Sequence, residues 1–273
     1  MQALSNSFKK EGKKIAFVPT MGYFHKGHLS LMQRGKNLAD VLIISIFVNP
    51  IQFGPQEDFK NYPRDLKRDL PLAQSAGVDV VFIPEAEEVY PPNYQSYLEV
   101  TQVTQHLCGI SRSGHFRGVT TIVAKLFNII KPDIALFGLK DYQQYVVIKC
   151  MVNDLNYDID IIGCPTIREP DGLAMSSRNT YLTIEQRKSA LCLYKSLKLA
   201  EKLVKNGQRD AKAIIEKIVS YIKSRPYTQI DYVKICNPET LKDLDYLKDK
   251  ALLALAVNVG RARLIDNTIL EVC

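Results

Sequence analysis

The chain is 273 residues long, with 46% apolar and 24% charged residues and a formal net charge of +7. That length suits a large domain beside a smaller one, and the balance is that of an ordinary globular protein. No apolar run approaches the ~20 residues that span a bilayer, and the N-terminal MQALSNSFKKEGKK lacks the apolar stretch of a signal peptide, so the expected location is cytoplasmic, with no membrane partner.

KIAFV at 14–18 predicts a strand, and HLSLMQRGKNLA at 28–39 a helix carrying apolar Leu29, Leu31, Met32 and Leu38. VLIISIFV at 41–48 is a continuous apolar run of strand length, as expected for a strand covered on both faces. Residues 63–76 predict a helix, VDVVFIP at 78–84 a strand, and Gly118–Lys131 a helix ended by Pro132. DIALFG at 133–138 reads as a strand, DYQQYVVIKCMVNDL at 141–155 as a helix and DIDIIG at 158–163 as a strand. This alternation implies a Rossmann-like, doubly wound α/β fold: a parallel sheet with helices on both faces. From about 183 the texture changes. TIEQRKSALCLYKSLKLAEKLVKNG predicts one long amphipathic helix stopping at Gly207, and RDAKAIIEKIVSYIKSR a second. QIDYVKIC, ALLALAVNVG and ARLIDN then read as strands of a smaller α+β domain. Placing the boundary in the loop 165–180 gives domains 1–166 and 167–273.

The positive charge suits anionic partners. The lysines are dispersed and no aromatic–basic interleaving appears, so the expected partner is a nucleotide or small acid in a positive cleft, not a nucleic acid. Six cysteines, Cys108, Cys150, Cys164, Cys192, Cys236 and Cys273, include no C-x-x-C pair. They read as reduced thiols, several of them filling apolar sites.

Ligands of doubly wound sheets bind beyond the carboxyl ends of the strands. The polar residues there are Met21, Gly22, His25 and His28 after the first strand, and Asn49, Gln52 and apolar Phe53 after the second. Lys140, Asp141 and Gln144 follow DIALFG, and Asp171, Ser176, Ser177 and Arg178 follow DIDIIG. A glycine lets the backbone turn tightly at a strand end, and a helix starting near Gly27 offers its positive dipole end to an anion. Two imidazoles beside that end can hydrogen-bond phosphate oxygens as charge builds on them. Metal ligation by His25 and His28 is disfavoured by the absence of a neighbouring carboxylate or third ligand. A purely structural role is the default for either histidine alone. Asn49 before Pro50 suits a turn, and the serines and Asn179 suit a helix cap. Neutral amides also orient carboxylates without adding charge, and two hydroxyls with a guanidinium suit a polyphosphate.

His25-Lys26-Gly27-His28 after the first strand, with Met175-Ser176-Ser177-Arg178 after the last, resembles the nucleotidylyl-transferase superfamily. PTMGYFHKGH, SIFVNPIQF, NYPR, GHFRGV, KDYQQ, DGLAMSSRN and LIDN, in this order from Phe17 to Asp266, narrow the resemblance to the pantoate–β-alanine ligases. That resemblance implies an ATP-dependent condensation of pantoate with β-alanine through an acyl adenylate. It implies that His25 and His28 contact the phosphates, with His28 the proton donor, and that Met21, Gly22, Tyr23, Phe24, Lys26 and Gly27 line ATP with them. Gly138 and Asp141 border the ribose, Lys140 reaches the phosphates, Leu139 between them also lines ATP, and the backbone of Ile167 lies near adenine. Met175, Ser176, Ser177 and Arg178 form a mobile loop over the triphosphate. Gln52 and Gln144 hold pantoate, Gln52 also borders the β-alanine position, and Asn49, Phe53 and Tyr62 shape that pocket. Mg2+ is implied on the phosphates, with no protein ligand assigned, and so is a homodimer.

Two positions depart from the family pattern. Leu107-Cys108-Gly109 stands where Leu-Glu-Gly is usual, and Gly138-Leu139-Lys140-Asp141 where Gly-Glu-Lys-Asp is usual. Two carboxylates are thereby missing, and any part they play in metal binding or amine orientation. Two rivals stay open: a transferase that keeps the nucleotide in its product, and a basic RNA-binding protein on a degenerate nucleotide fold.

Overall fold

The computed structural model describes residues 1–55 and 57–272, so Cys273 lies outside the described residues. In chain order the elements are α1 (Gln2–Lys10), β1 (Ile15–Thr20), α2 (Lys26–Lys36), β2 (Val41–Ile46), α3 (Leu66–Ser75), β3 (Val80–Phe82), α4 (Ala86–Val89), α5 (Cys108–Ser111) and α6 (His115–Ile130). There follow β4 (Ile134–Gly138), α7 (Tyr142–Asp154), β5 (Asp160–Cys164), α8 (Ile184–Ala190), α9 (Cys192–Lys205), α10 (Ala211–Lys223), β6 (Thr228–Cys236), β7 (Lys250–Val259) and β8 (Ala262–Glu271). They fall into two compact units. The first holds Met1–Thr101, Arg112–Leu139 and Gln144–Pro165, and the second holds Gln102–Ser111, Lys140–Gln143 and the chain from Thr166 onward. The division expected at 166/167 is contiguous; here two short upstream segments join the C-terminal residues.

In the first unit five parallel strands lie in the order β3-β2-β1-β4-β5, the doubly wound arrangement expected. Side chains alternate along a strand. Ala16 and Val18 of β1 share one core with Leu31 and Met32 of α2, and Phe17 meets Phe127 of α6 edge-on at 6.4 Å. Both faces of β1 and β2 are therefore buried, which is why these strands read as unbroken apolar runs. The chain winds outward from β1 through β2 to β3, then returns to β4 on the other side of β1. The carboxyl ends of β1 and β4 thus border the switch point, where such sheets bind ligands.

In the second unit three antiparallel strands run β6-β7-β8. Ile214, Ile218 and Ile222 of α10 share a core with Leu193, Leu197, Ala200 and Val204 of α9 and with Leu253, Leu255 and Val257 of β7. Each fully buried isoleucine contributes about 1.5–3 kcal/mol.

One expectation needs correction. The single helix over 183–207 is two helices, because Leu191 takes φ −60° and ψ −14°, a tighter 3-10-like setting that ends α8 and starts α9. No glycine or proline marks that break. The segment Gln2–Lys10, for which no element is expected from the sequence pattern above, forms α1 and packs on α6. Among the described residues no disulfide forms, and burial pushes the Cys192 thiol up to about 11 and that of Cys236 up to about 12, as befits packing residues. No described helix is long and apolar enough to cross a membrane.

Candidate active site

The first site element is the turn from β1 into α2. Gly22 takes φ +81°, and a Cβ there would lie 3.0 Å from Ile46 Cγ2 and 3.1 Å from Asp69 Oδ2, so the turn needs glycine. Tyr23 follows with φ +52°, an unfavourable setting for a side chain. The buried carboxylate of Asp69 on α3 holds it there, accepting from the backbone N–H of Tyr23 at 2.5 Å and of Phe24 at 2.8 Å. Arg68 donates to the Phe24 carbonyl at 2.7 Å and lies over the Tyr23 ring at 4.7 Å.

The two histidines then cap α2. His25 Nδ1 accepts from the N–H of Gly27 at 3.1 Å, and His28 Nδ1 accepts from the N–H of His25 at 3.3 Å, a reciprocal capping box. The rings lie 4.1 Å apart, centroid to centroid. An imidazole nitrogen that accepts carries no proton, so each neutral ring bears its proton on Nε2. The cap thereby sets both histidines as Nε2–H donors at the positive end of an 11-residue helix. Phe24, expected among the nucleotide residues, is a fully buried core side chain with its backbone already engaged. Lys26 is exposed.

The second element is the turn after β2. Asn49, fully buried, donates Nδ2–H to Gln52 Oε1 at 2.9 Å and to the Gly118 carbonyl at 3.1 Å, while its Oδ1 accepts from the Tyr90 hydroxyl at 2.8 Å. Asn49 therefore fixes the amide of Gln52, whose Nε2 lies 3.5 Å from Met21 Sδ. A Cβ on Gly118 would come 2.6 Å from the Ile51 carbonyl oxygen and 2.7 Å from Gln52 Cα, so α6 presses directly on this turn. Phe53 meets Tyr62 edge-on at 6.0 Å, giving the turn an apolar flank. Gln144 is half-buried on α7, Gly138 ends β4, and Leu139 opens the 3-10 turn that follows.

A charged relay fixes the Gln52 backbone. His115 Nδ1 lies 2.8 Å from the Gln52 carbonyl and so donates, and its Nε2 accepts from Arg112 Nη1 at 2.9 Å. The Arg112 fork also grips Glu57 at 2.6 and 2.7 Å. Burial alone would raise the Glu57 carboxyl, but the Arg112 bonds outweigh it and hold it at about 2. The pair's stabilisation is then complete above the ordinary glutamate range and lost as pH falls from about 4.5 to about 2. Glu57→Gln is expected to cost about 1–2 kcal/mol at neutral pH, discounted for partial exposure. In urea titrations the two proteins should converge near about pH 2; a gap that persists there contradicts the ionic account.

The second unit holds the remaining candidates. Lys140 lies in a 3-10 turn, Leu139–Asp141, with its Nζ 3.8 Å from Asp141. Residues 167–175 form a hairpin closed by Met175 N–H to the Ile167 carbonyl at 3.0 Å and by Glu169 N–H to the Leu173 carbonyl at 2.8 Å. Ser176 Oγ accepts from Arg178 N–H at 3.3 Å and caps the turn Ser177–Tyr181, so the cap falls to Ser176 and not to Asn179. Asn179 instead donates to Glu169 at 2.7 Å and to the Ala174 carbonyl at 3.1 Å. Arg187 grips Glu169 and Asp171, each at 2.7 Å, and so ties the hairpin to α8. Ser177 is buried, and Met175, Ser176 and Arg178 are half-buried.

The structure brings Met21 to Gln52, His25 to His28 and Asn49 to Gln52. Sequence reasoning missed Asp69, Tyr90 and the Glu57–Arg112–His115 relay. GHFRGV marked His115 as part of a motif without a role, whereas Asp69 carried no signal, since its partners lie 45 and 46 residues away.

A family model described as pantoate-beta-alanine ligase matches residues 1–269. The pantothenate synthetase of Desulfatibacillum aliphaticivorans is 57% identical over 271 residues, 99% of this chain and 96% of that protein. That of Thermoanaerobacter sp. (strain X514) is 58% identical over 259 residues, 95% of this chain and 92% of that protein. Among solved structures, pantothenate synthetase from Thermus thermophilus superposes with a TM-score of 0.91 at 43% identity, covering 93% of this chain and 92% of that one. The pantoate-beta-alanine ligase from Francisella tularensis, complexed with beta-gamma ATP and beta-alanine, gives 0.80 at 37% identity, covering 98% and 94%.

Proposed function

The chain belongs to the pantoate–β-alanine ligase family, and on that premise we propose that it condenses pantoate and β-alanine to pantothenate through a pantoyl-adenylate intermediate. A carboxylate is a poor acyl donor. In the first step its oxygen attacks the α-phosphorus of ATP and pyrophosphate leaves; in the second the β-alanine nitrogen attacks the acyl carbon, loses a proton, and AMP leaves. The crystallised Francisella relative, complexed with beta-gamma ATP and beta-alanine, supports the same substrates here.

The observation that carries the residue assignment is the reciprocal histidine cap. With both Nδ1 atoms occupied by the cap, the Nε2–H groups of His25 and His28 are the donors offered to phosphate oxygens as charge grows in the adenylation transition state. Lys140, Ser176, Ser177 and Arg178 are assigned to the phosphates, and Met21, Gly22, Tyr23, Lys26, Gly27, Gly138, Leu139, Asp141, Ile167 and Met175 to the rest of ATP. Phe24 supports that turn from the core. Gln52 and Gln144 are assigned to pantoate. Asn49 orients the Gln52 amide and so acts through it, and Phe53 and Tyr62 form the apolar wall beside β-alanine. Among the described residues no group of three or more His, Cys, Asp or Glu gathers to hold a cation; Mg2+ enters as part of the substrate MgATP. A homodimer and a cytoplasmic location complete the reading.

The test is to follow AMP and pantothenate with ATP and pantoate, with and without β-alanine. AMP and pantothenate should form together only when all three substrates are present. Nucleotide retained in the product would identify the rival transferase, and salt-sensitive RNA binding without ATP turnover the other rival.

A further inference from the structure

The Leu264-Ile265-Asp266-Asn267 motif has no role in the reaction as assigned above, yet the Asn267 side chain reaches Lys140, and that of Asp266 holds Arg168 in the hairpin that precedes Ser176. We propose that Asp266 and Asn267 on β8 are positioning residues for the ATP-phosphate segments of the second unit, an inference that rests on the assignment of Lys140 and Ser176–Arg178 to ATP.

Asn267 donates Nδ2–H to the carbonyl of Lys140 at 2.8 Å, across 127 residues of sequence. That bond anchors the 3-10 turn from which the Lys140 side chain departs. Its neighbour Asp266, 2% exposed, accepts the Arg168 fork at 2.7 and 2.9 Å. Arg168 in turn donates to the Gly172 carbonyl at 3.1 Å and stacks over Tyr194 at 4.8 Å, fixing the hairpin that leads into Ser176. The Asn267 N–H closes the arrangement on Asp266 Oδ1 at 2.9 Å. One dipeptide on a paired strand, with Asp266 opposite Leu255 and Asn267 opposite Ala254, thus grips both segments. A rigid strand is a better reference for phosphate-binding groups than either turn alone, because small misplacements of such groups cost large factors in rate.

The experiment measures binding of a non-hydrolysable α,β-methylene ATP by calorimetry, with the thermal midpoint as a control for folding. Asn267→Ala should weaken the analogue about tenfold, as for one lost anchoring hydrogen bond, with little change in midpoint. In a Lys140→Ala background the same substitution should have little further effect, because the positioned group is gone. Unchanged affinity in a folded Asn267→Ala protein, or losses that simply add, overturns the proposal. If that variant does not fold, Asn267→Asp, which sets a carboxylate against the Lys140 carbonyl, takes its place with at least the same loss expected; failure of both to fold makes the dipeptide structural and also overturns it. AMP release by the unaltered protein is recorded first. Its absence would sink the ligase reading, while the analogue titrations would still decide the positioning role.

Discussion

Replacing His28 by alanine is expected to slow adenylate formation by about 10²–10³-fold, the usual loss for one preorganised group that stabilises transition-state charge. The same change removes the acceptor for the His25 N–H and is expected to cost about 0.5–2 kcal/mol of stability, as for other lost helix caps. The two roles sit on different nitrogens and can be separated. Asparagine at position 28 keeps an acceptor near the place of Nδ1 and has nothing at the place of Nε2. His28→Asn should therefore retain most of the wild-type stability and show the full rate loss, measured as pantoate-dependent pyrophosphate release in a single turnover. A His28→Asn protein with near wild-type turnover would end the assignment of Nε2–H as the phosphate donor. One that is as unstable as His28→Ala would end the capping account.

The largest stability effect is expected at Asp69, which lies far from the histidines in sequence. Its buried carboxylate satisfies two backbone N–H groups in a turn where Tyr23 holds a left-handed setting. Left-handed backbone costs roughly 1–2 kcal/mol for a residue with a side chain, and each buried donor left unsatisfied costs ~1–3 kcal/mol. Asp69→Ala is thus expected to destabilise the protein by about 2–4 kcal/mol, the sum being reduced by relaxation of the turn. Asp69→Asn keeps one acceptor oxygen and turns an NH2 toward the other N–H, so it should recover only part of the loss. Denaturant titrations of the three proteins decide the matter. Because the turn carries His25 and His28, both variants should also lose adenylation rate. A folded Asp69→Ala protein with wild-type rate and stability would show that α2 and its cap hold the turn without help.

The alternation of apolar runs with amphipathic stretches, read along the chain, determined a parallel doubly wound sheet followed by a smaller α+β unit, because strand and helix periods are written in local residue order. Local order also placed His25 and His28 at a strand-to-helix turn, and the ordered motifs determined the family. What tertiary structure decided were the partners that hold these residues. Asp69 under the Tyr23 turn, Tyr90 behind Asn49, the Glu57–Arg112–His115 relay under Gln52, and Asn267 on Lys140 each join segments separated by tens of residues or more. The break at Leu191 was equally illegible, since a few tens of degrees in one ψ angle end a helix without changing its apolar pattern. The physical reason is the same in each case. A periodicity is a property of neighbours in the chain, whereas a buried hydrogen bond is settled only when packing has removed water from both of its ends.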